Sequence, residues 1–411
     1  MKQLLIIDKI QYWLLLIVAF TIPLPKTIAI NSISIVLLVI SVLIISIINK
    51  SIKPFLNKNV LILLIIFLIY LISGLWSEDK KLFLFEIEKK LSLFFFPIIF
   101  SSLSLSYDKV IGVLKSWILG TSLLLSICLF NLARNYFNLE LHTYYPDYYV
   151  GEGLVFQTGL HRVYIAHHFI FTIIILFTTP VFKNYIRYIL GTVFLIFTLM
   201  LSSRITIISI PLILFIYITY LVYCKKISYK IVALLIVALF TLVATIIFVP
   251  KVNFMIRQVL ITSQYDDVKN VNEANGVHVR YLIWKGAKQA IEESPFIGYG
   301  VGDSQKVLNQ KYNDIGFDLA IKNPYNAHNQ YIQTCLDTGF IGLFTFIAIL
   351  AYLLVFAFKK QDDLYLIFLL IFLFGFFTEN ILSNQKGVVF FAFFNSMFYL
   401  FNDIPKRYGA K

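Results

Sequence analysis

Residues 28–48 read IAINSISIVLLVISVLIISII, a run without one charged side chain. As a helix it rises about 30 Å, the thickness of a bilayer's hydrocarbon core. Windows of the same kind recur, with cores near 10–24, 59–76, 90–104, 110–131, 163–181, 184–202, 204–223, 230–249, 337–358, 363–378 and 386–401. The pattern predicts an all-α, polytopic transmembrane helical bundle of about twelve spans. Composition points the same way. Of 411 residues, 59% are hydrophobic, 17% aromatic and 14% charged, against about 25% charged in a soluble domain. A soluble chain could not cover so much apolar surface with so few polar residues.

The 35 Lys and Arg outnumber 22 Asp and Glu, giving +13. In a soluble protein that balance would suggest nucleic acid, but in a membrane protein basic residues collect on cytoplasmic connections for insertion reasons alone. One set of short connections holds Lys2 and Lys9, Lys50, Lys53 and Lys58, Lys109, Lys183 and Arg187, Lys225 and Lys226, and Lys359 and Lys360. The opposite set is poorer, and its lysines at 80–90 are mixed with Glu78, Asp79, Glu86 and Glu88. Both termini are therefore expected in the cytoplasm, and no nucleic-acid partner is expected. The first helix is expected to be retained, because no small-residue cleavage site follows residues 1–10. Cys128, Cys224 and Cys335 form no metal-ligand spacing.

Two long connections, about 132–162 and 250–336, then lie outside. The expected organisation is nine spans over 1–249, a large outer loop over 250–336, and three spans over 337–411. The late loop is polar and partly helical. Val277 to Glu293 repeats Arg280, Trp284, Ala287 and Ile291 at helical spacing and stops at Ser294-Pro295. Gly298-Tyr299-Gly300-Val301-Gly302-Asp303 follows, an alternation that lets a backbone turn sharply and approach a ligand or another segment. It is neither a dinucleotide fingerprint nor a P-loop. A second helix is expected from near Pro324, carrying His328-Asn329-Gln330-Tyr331 to the membrane surface. Arg204 stands at the outer end of a span, against the positive-inside trend, with Arg162 and Arg280 on the same side. Arginine's planar fork suits phosphate oxygens, although snorkelling to the interface also explains Arg204. Tyr144, Tyr145, Tyr148 and Tyr149 suit an interfacial aromatic belt. Glu379 and Asn380 fit a helix end or the wall of the same outer cavity.

The series Arg280-x-x-x-Trp284, Pro295-x-x-Gly298-x-Gly300-x-Gly302, His328-Asn329-x-Tyr331-Ile332 and Gly339-x-x-Gly342 resembles the signature of the O-antigen ligase and polymerase family. Ser203-Arg204 resembles that family's arginine at the outer end of a middle span. The resemblance covers about residues 190–345. It implies an inner-membrane glycosyltransferase of lipopolysaccharide or other polysaccharide biosynthesis, acting at the periplasmic face. The donor would be an undecaprenyl-pyrophosphate-linked glycan and the acceptor a hydroxyl of lipid A–core, another glycan or a protein. Transfer would invert the anomeric centre and need neither metal nor cofactor. His328, Arg280 and Arg204 would be catalytic. Asn329, Tyr331, Trp284, Gly298, Gly300 and Gly302 would contact substrate, and Arg162, whose loop matches no motif of the family, is added to them as a further substrate contact. Whether His328 takes the acceptor's proton or orients the acceptor stays open at this point. The leading expectation is a ligase acting on lipid A–core; a polymerase or protein O-oligosaccharyltransferase shares the fold, the motif and the donor, and the acceptor separates them. A lipid-linked sugar transporter would call for ionisable residues near span midpoints, and few exist.

Overall fold

The computed structural model describes residues 2–49, 57–137, 150–156, 158–201, 204–228, 276–317, 319–320 and 325–401, with positions 230, 233 and 237 between. Among the described residues the chain is helical and has no strand. Its helices are α1 (Lys2–Thr21), α2 (Ile28–Ile48), α3 (Lys58–Ser73), α4 (Lys80–Lys90), α5 (Ser92–Ser102), α6 (Tyr107–Phe137), α7 (Arg162–Thr178), α8 (Asn184–Met200), α9 (Arg204–Tyr223), α10 (Gly276–Glu293), α11 (Ser304–Asp314), α12 (Gln330–Lys360), α13 (Asp363–Gly375) and α14 (Gln385–Leu400). By length and composition, α2, α6 and α12 can each cross a membrane, and shorter apolar helices stand beside them. Large side chains such as Ile33, Ile47, Phe130, Ile341 and Phe344 remain exposed on the outside of the bundle. That is costly in water and favourable in lipid.

The expected span at 90–104 falls on α5, 11 residues long, which continues α4 through Leu91, itself in helical conformation. It packs against α2, α3 and α14, with Phe96 and Phe100 fully buried edge-on to Phe393. The expected span at 230–249 lies almost wholly outside the described residues, as do the loop residues 250–275 and the tyrosines at 144–149.

An aromatic interior holds the bundle. Trp117 of α6 stacks on Phe390 of α14 at 4.7 Å and meets Phe394 and Phe171 edge-on. Its indole N–H donates to Thr172 of α7 at 2.9 Å, so the one polar atom of a fully buried tryptophan is satisfied. The opposite ends of the helices differ in chemistry. Ion pairs Lys109–Asp8 and Lys226–Asp363, both at 2.6 Å, lie at one end. The end where α7 and α12 begin carries a small separate unit built from α10, α11 and the start of α12. Its core is Ile283, Ala287, Ala290, Leu308, Tyr312, Phe317 and Leu336.

That unit is locked to the bundle at a kink in α12. Gly339 adopts φ 66° and ψ −172° inside the helix, a conformation essentially restricted to glycine. The kink frees backbone groups, and the segment after α10 takes them up. Phe340 N–H donates to the Pro295 carbonyl at 2.7 Å and Ile341 N–H to that of Phe296 at 3.2 Å; Tyr299 and Gly300 donate to the Leu336 and Asp337 carbonyls at 2.9 and 3.0 Å. The two chains approach so closely that a Cβ on Gly339 would stand 2.1 Å from the Phe296 carbonyl carbon.

Gly339→Ala is therefore expected to cost about 3 kcal/mol or more, combining backbone strain with overpacking. Gly316→Ala, at φ 69° with open space around it, should lose only about 1 kcal/mol. Thermal unfolding of the two variants in detergent checks the difference, and equal losses would contradict the junction's tight packing.

Candidate functional site

Four separate pieces of chain converge at the end of the bundle that carries the α10–α11 unit: the start of α7, the first turns of α10, the segment 325–329 before α12, and the turn 376–380 after α13. The expected second helix begins later than Pro324, which is itself outside the described residues. It starts at Gln330, because Asn329 caps it, its side chain accepting from the amides of Tyr331 and Ile332 at 2.9 and 3.1 Å. Before the cap the chain is held in place by specific bonds. Trp284 Nε1 donates to the Ala327 carbonyl at 3.1 Å. The Asn326 side chain accepts from the His328 amide at 2.9 Å, and His328 itself takes φ 43°, in the left-handed region.

The turn 376–382 is stitched to that segment. Gln330 N–H donates to the Phe376 carbonyl at 2.7 Å, Asn329 Nδ2 to that of Phe377 at 3.0 Å, and Leu382 N–H to Gln330 Oε1 at 2.6 Å. Tyr331 Oη reaches the Leu373 carbonyl at 3.0 Å. These bonds fix His328 against Glu379. His328 Nδ1 lies 3.4 Å from Glu379 Oε2, while Arg280 reaches Oε1 of the same carboxylate at 3.3 Å and the Thr378 carbonyl at 3.2 Å. His161, the residue before α7, is 4.0 Å from Glu379 Oε1. Arg162 pairs with Glu152 at 3.3 Å.

Glu379 is the hub of this arrangement, with a side chain only 8% exposed. Burial alone would raise its pKa, but His328, His161 and Arg280 outweigh burial and hold it below its usual 4.5. It stays a carboxylate at neutral pH and favours a proton on Nδ1 of His328, which leaves Nε2 as the ring's acceptor. Partial burial lowers His161 below its usual value even though Glu379 pulls the other way, so that ring is neutral in the same range. Burial also lowers Arg280, opposed by Glu379, yet a guanidinium remains charged throughout. The N-termini of α7 and α12, each carrying partial positive charge, end here as well. An imidazole held by a carboxylate beside two arginines and two helix N-termini is suited to take a proton from one group while an anion is stabilised on another.

The remaining residues singled out from the sequence fall into place unequally. Arg204 opens α9, which packs on α7 and α13; its side chain lies outside the described residues. Trp284, Asn329 and Tyr331 spend their polar atoms on the backbone that holds His328. The glycine turn does likewise. Gly298 and Gly300 have φ of 67° and 81°, but the amides of Tyr299 and Gly300 go to α12, and those of Val301 and Gly302 to Ser73 and Ser77 at 3.2 and 3.0 Å. Gly298, Gly300 and Gly302 thus allow close approach of α12 and the end of α3, and these four amides are not turned to a ligand. Glu379 and His161 were the residues whose part here the sequence understated. The signal for Glu379 was a carboxylate just past the end of an apolar run whose one other charge, Asp363, stands at the opposite end. Among the described residues, no group of three or more His, Cys, Asp or Glu is arranged to hold a metal ion.

Residues 189–347 match the family model described as O-antigen ligase, a family of glycosyltransferase-type enzymes. No curated protein matches the chain.

Because Glu379 is depressed in the folded protein, its contribution to stability is present above the unfolded carboxylate value and is lost as pH falls through the lower folded value. Glu379→Ala should destabilise by about 3 kcal/mol at pH 7, leaving Arg280 partly buried and unpaired. Melting curves of wild type and Glu379→Gln should differ most at neutral pH and converge as pH falls through the lowered folded value of Glu379. A difference that persisted unchanged in acid would show that the charge is not what Glu379 contributes.

Proposed function

We propose that this protein, carrying an O-antigen ligase domain in a helical membrane bundle, transfers a glycan from undecaprenyl pyrophosphate to an acceptor hydroxyl at the periplasmic face. The observation that carries the reading is the Glu379 carboxylate holding His328 and Arg280 together beside His161 and Arg162. The about twelve spans and cytoplasmic termini expected from the charge pattern put this end of the bundle outside the cytoplasm. There a lipid carrier's pyrophosphate stands at the depth of the helix ends.

In the reaction, the acceptor oxygen bonds to the anomeric carbon from the face opposite the leaving group, and the bond from that carbon to the pyrophosphate oxygen breaks. The configuration inverts. The hydroxyl proton passes to Nε2 of His328, whose Nδ1–H is held by Glu379. The electron pair leaves with undecaprenyl pyrophosphate, and the charge on it is met by Arg280, Arg162 and Arg204 with the N-termini of α7 and α12. Glu379 thereby prevents Arg280 and His328 from drifting apart, and Trp284, Asn329 and Tyr331 keep the histidine's backbone in place.

Lipid A–core is the acceptor we favour, which makes the enzyme a ligase. Polymerisation onto a second lipid-linked glycan and transfer to a protein use the same groups, and the acceptor alone separates them. A transporter of the same lipid-linked sugars would leave the His328–Glu379–Arg280 cluster without a purpose.

His328→Ala should reduce transfer by about 10²- to 10⁴-fold at matched protein levels. In deletion cells it should remove long chains from lipid A–core on surface-polysaccharide gels while finished glycan accumulates on the carrier. A single repeat left on the core would instead identify a polymerase, and a wild-type gel would remove His328 from the mechanism.

A further inference from the structure

Beside the Glu379 cluster a cavity of about 640 Å³ opens between α4, α11 and the turn at 380–383. Neither His328 nor Glu379 lines it, but Asn326 and Asn380, their near neighbours in the chain, do. Its volume lies within the roughly 300–1,000 Å³ of small-molecule sites, room enough for a short oligosaccharide.

Six amide side chains line the wall: Gln305, Asn309, Asn313, Asn326, Gln333 and Asn380. Gln305 donates to Asn309, Gln333 to Ser304 and Asp337, and Asn326 accepts from the His328 amide, so Asn313 and Asn380 are the two on which a ligand would draw. Asn380 is 3% exposed, and neither its amide nitrogen nor its oxygen has a hydrogen-bond partner among the described residues. Lys90 Nζ is also buried without a hydrogen bond, its nearest carboxylate oxygen being Glu86 Oε2 at 3.8 Å. Leaving both ends of a buried amide unmade is unfavourable, and such groups in a native fold call for a partner from outside. An amide offers a donor and an acceptor together, which matches a sugar hydroxyl. The lining charges nearly balance, Lys89, Lys90 and Lys306 against Glu86 and Asp337, and no arginine lines the cavity to grip phosphate oxygens in a planar fork. At the rim, Leu82 and Phe85 are exposed and give an apolar edge on which a glycolipid can rest while its sugars enter.

We infer that this cavity is a saccharide subsite that seats the terminal sugars of the acceptor glycan, with Asn326 and Asn380 on the side adjoining His328. The assignment rests on the transferase reading above. The arginines stand with Glu379, so the donor pyrophosphate and the acceptor sugars occupy separate places and meet at His328.

The test uses nanodisc-embedded protein, with core oligosaccharide released from lipopolysaccharide by mild acid as the probe. Saturation-transfer NMR of wild type should show contact with the probe's terminal sugars, and Asn380→Ala and Asn313→Ala should each weaken binding about tenfold. Asn380→Ala should melt at an unchanged or higher temperature, because it removes an unpaired buried amide. In the transfer assay both variants should raise KM for the acceptor and keep KM for the undecaprenyl-linked donor within about twofold. Absence of probe binding, or equal binding by the variants, overturns the subsite. A shift in donor KM with acceptor KM unchanged overturns the acceptor assignment. A protein that binds the probe here but transfers nothing supports the saccharide site and overturns the transferase reading, and with it the acceptor role.

Discussion

A carboxylate withdrawn from water remains ionised only if cations and donors reach it, and Glu379 meets that demand with residues drawn from three other parts of the chain. Arg280 comes from α10, His328 from the segment before α12, and His161 from the start of α7. Each partner is itself partly withdrawn from solvent and gains from the carboxylate in return. The cluster is therefore a structural tie and a chemical device at once. Removing its centre loosens the α10–α11 unit from the bundle and leaves the histidine without a fixed tautomer.

The tie works only because the chain segments are held at short range by backbone contacts that tolerate little change. The α12 kink at Gly339 and the glycine turn at 298–302 are two halves of one junction. Each presents backbone to the other where a side chain would collide. On the far side of α12, Gln330 bridges Tyr70 of α3 and the Leu382 amide. Arg280, His328 and Glu379, up to 99 positions apart, are thus placed by hydrogen bonds that engage the main chain, which hold angles as well as distances.

Most of the helices were legible, since long apolar runs such as 28–48, without a charge, and 110–131, with Lys115 alone, allow few alternatives in a membrane protein. Helix α10 was legible from the spacing of Trp284, Ala287 and Ile291. Helix α11 was not, because Val307, Leu308 and Tyr312 are sparse apolar positions in a polar run, and their burial depends on α10. The start of α12 was placed too early because nothing local shows that Ala327 is tied to Trp284. At the site, His328 and Arg280 stood out through family resemblance and position. Glu379 did not, for its meaning lies in a fold-level contact with residues 99 and 51 positions away. The glycines were legible as a turn, and what they approach is protein.

The central claim is that Glu379 acts through His328, and a double-mutant cycle on kcat tests it directly. Glycan transfer by the reconstituted protein is measured for wild type, Glu379→Gln, His328→Ala and the double variant. If the carboxylate serves the histidine, Glu379→Gln slows the wild type strongly but adds little once His328 is gone. Additive losses, with the double variant slowed by the product of the two single effects, would contradict the account and make Glu379 an independent contributor.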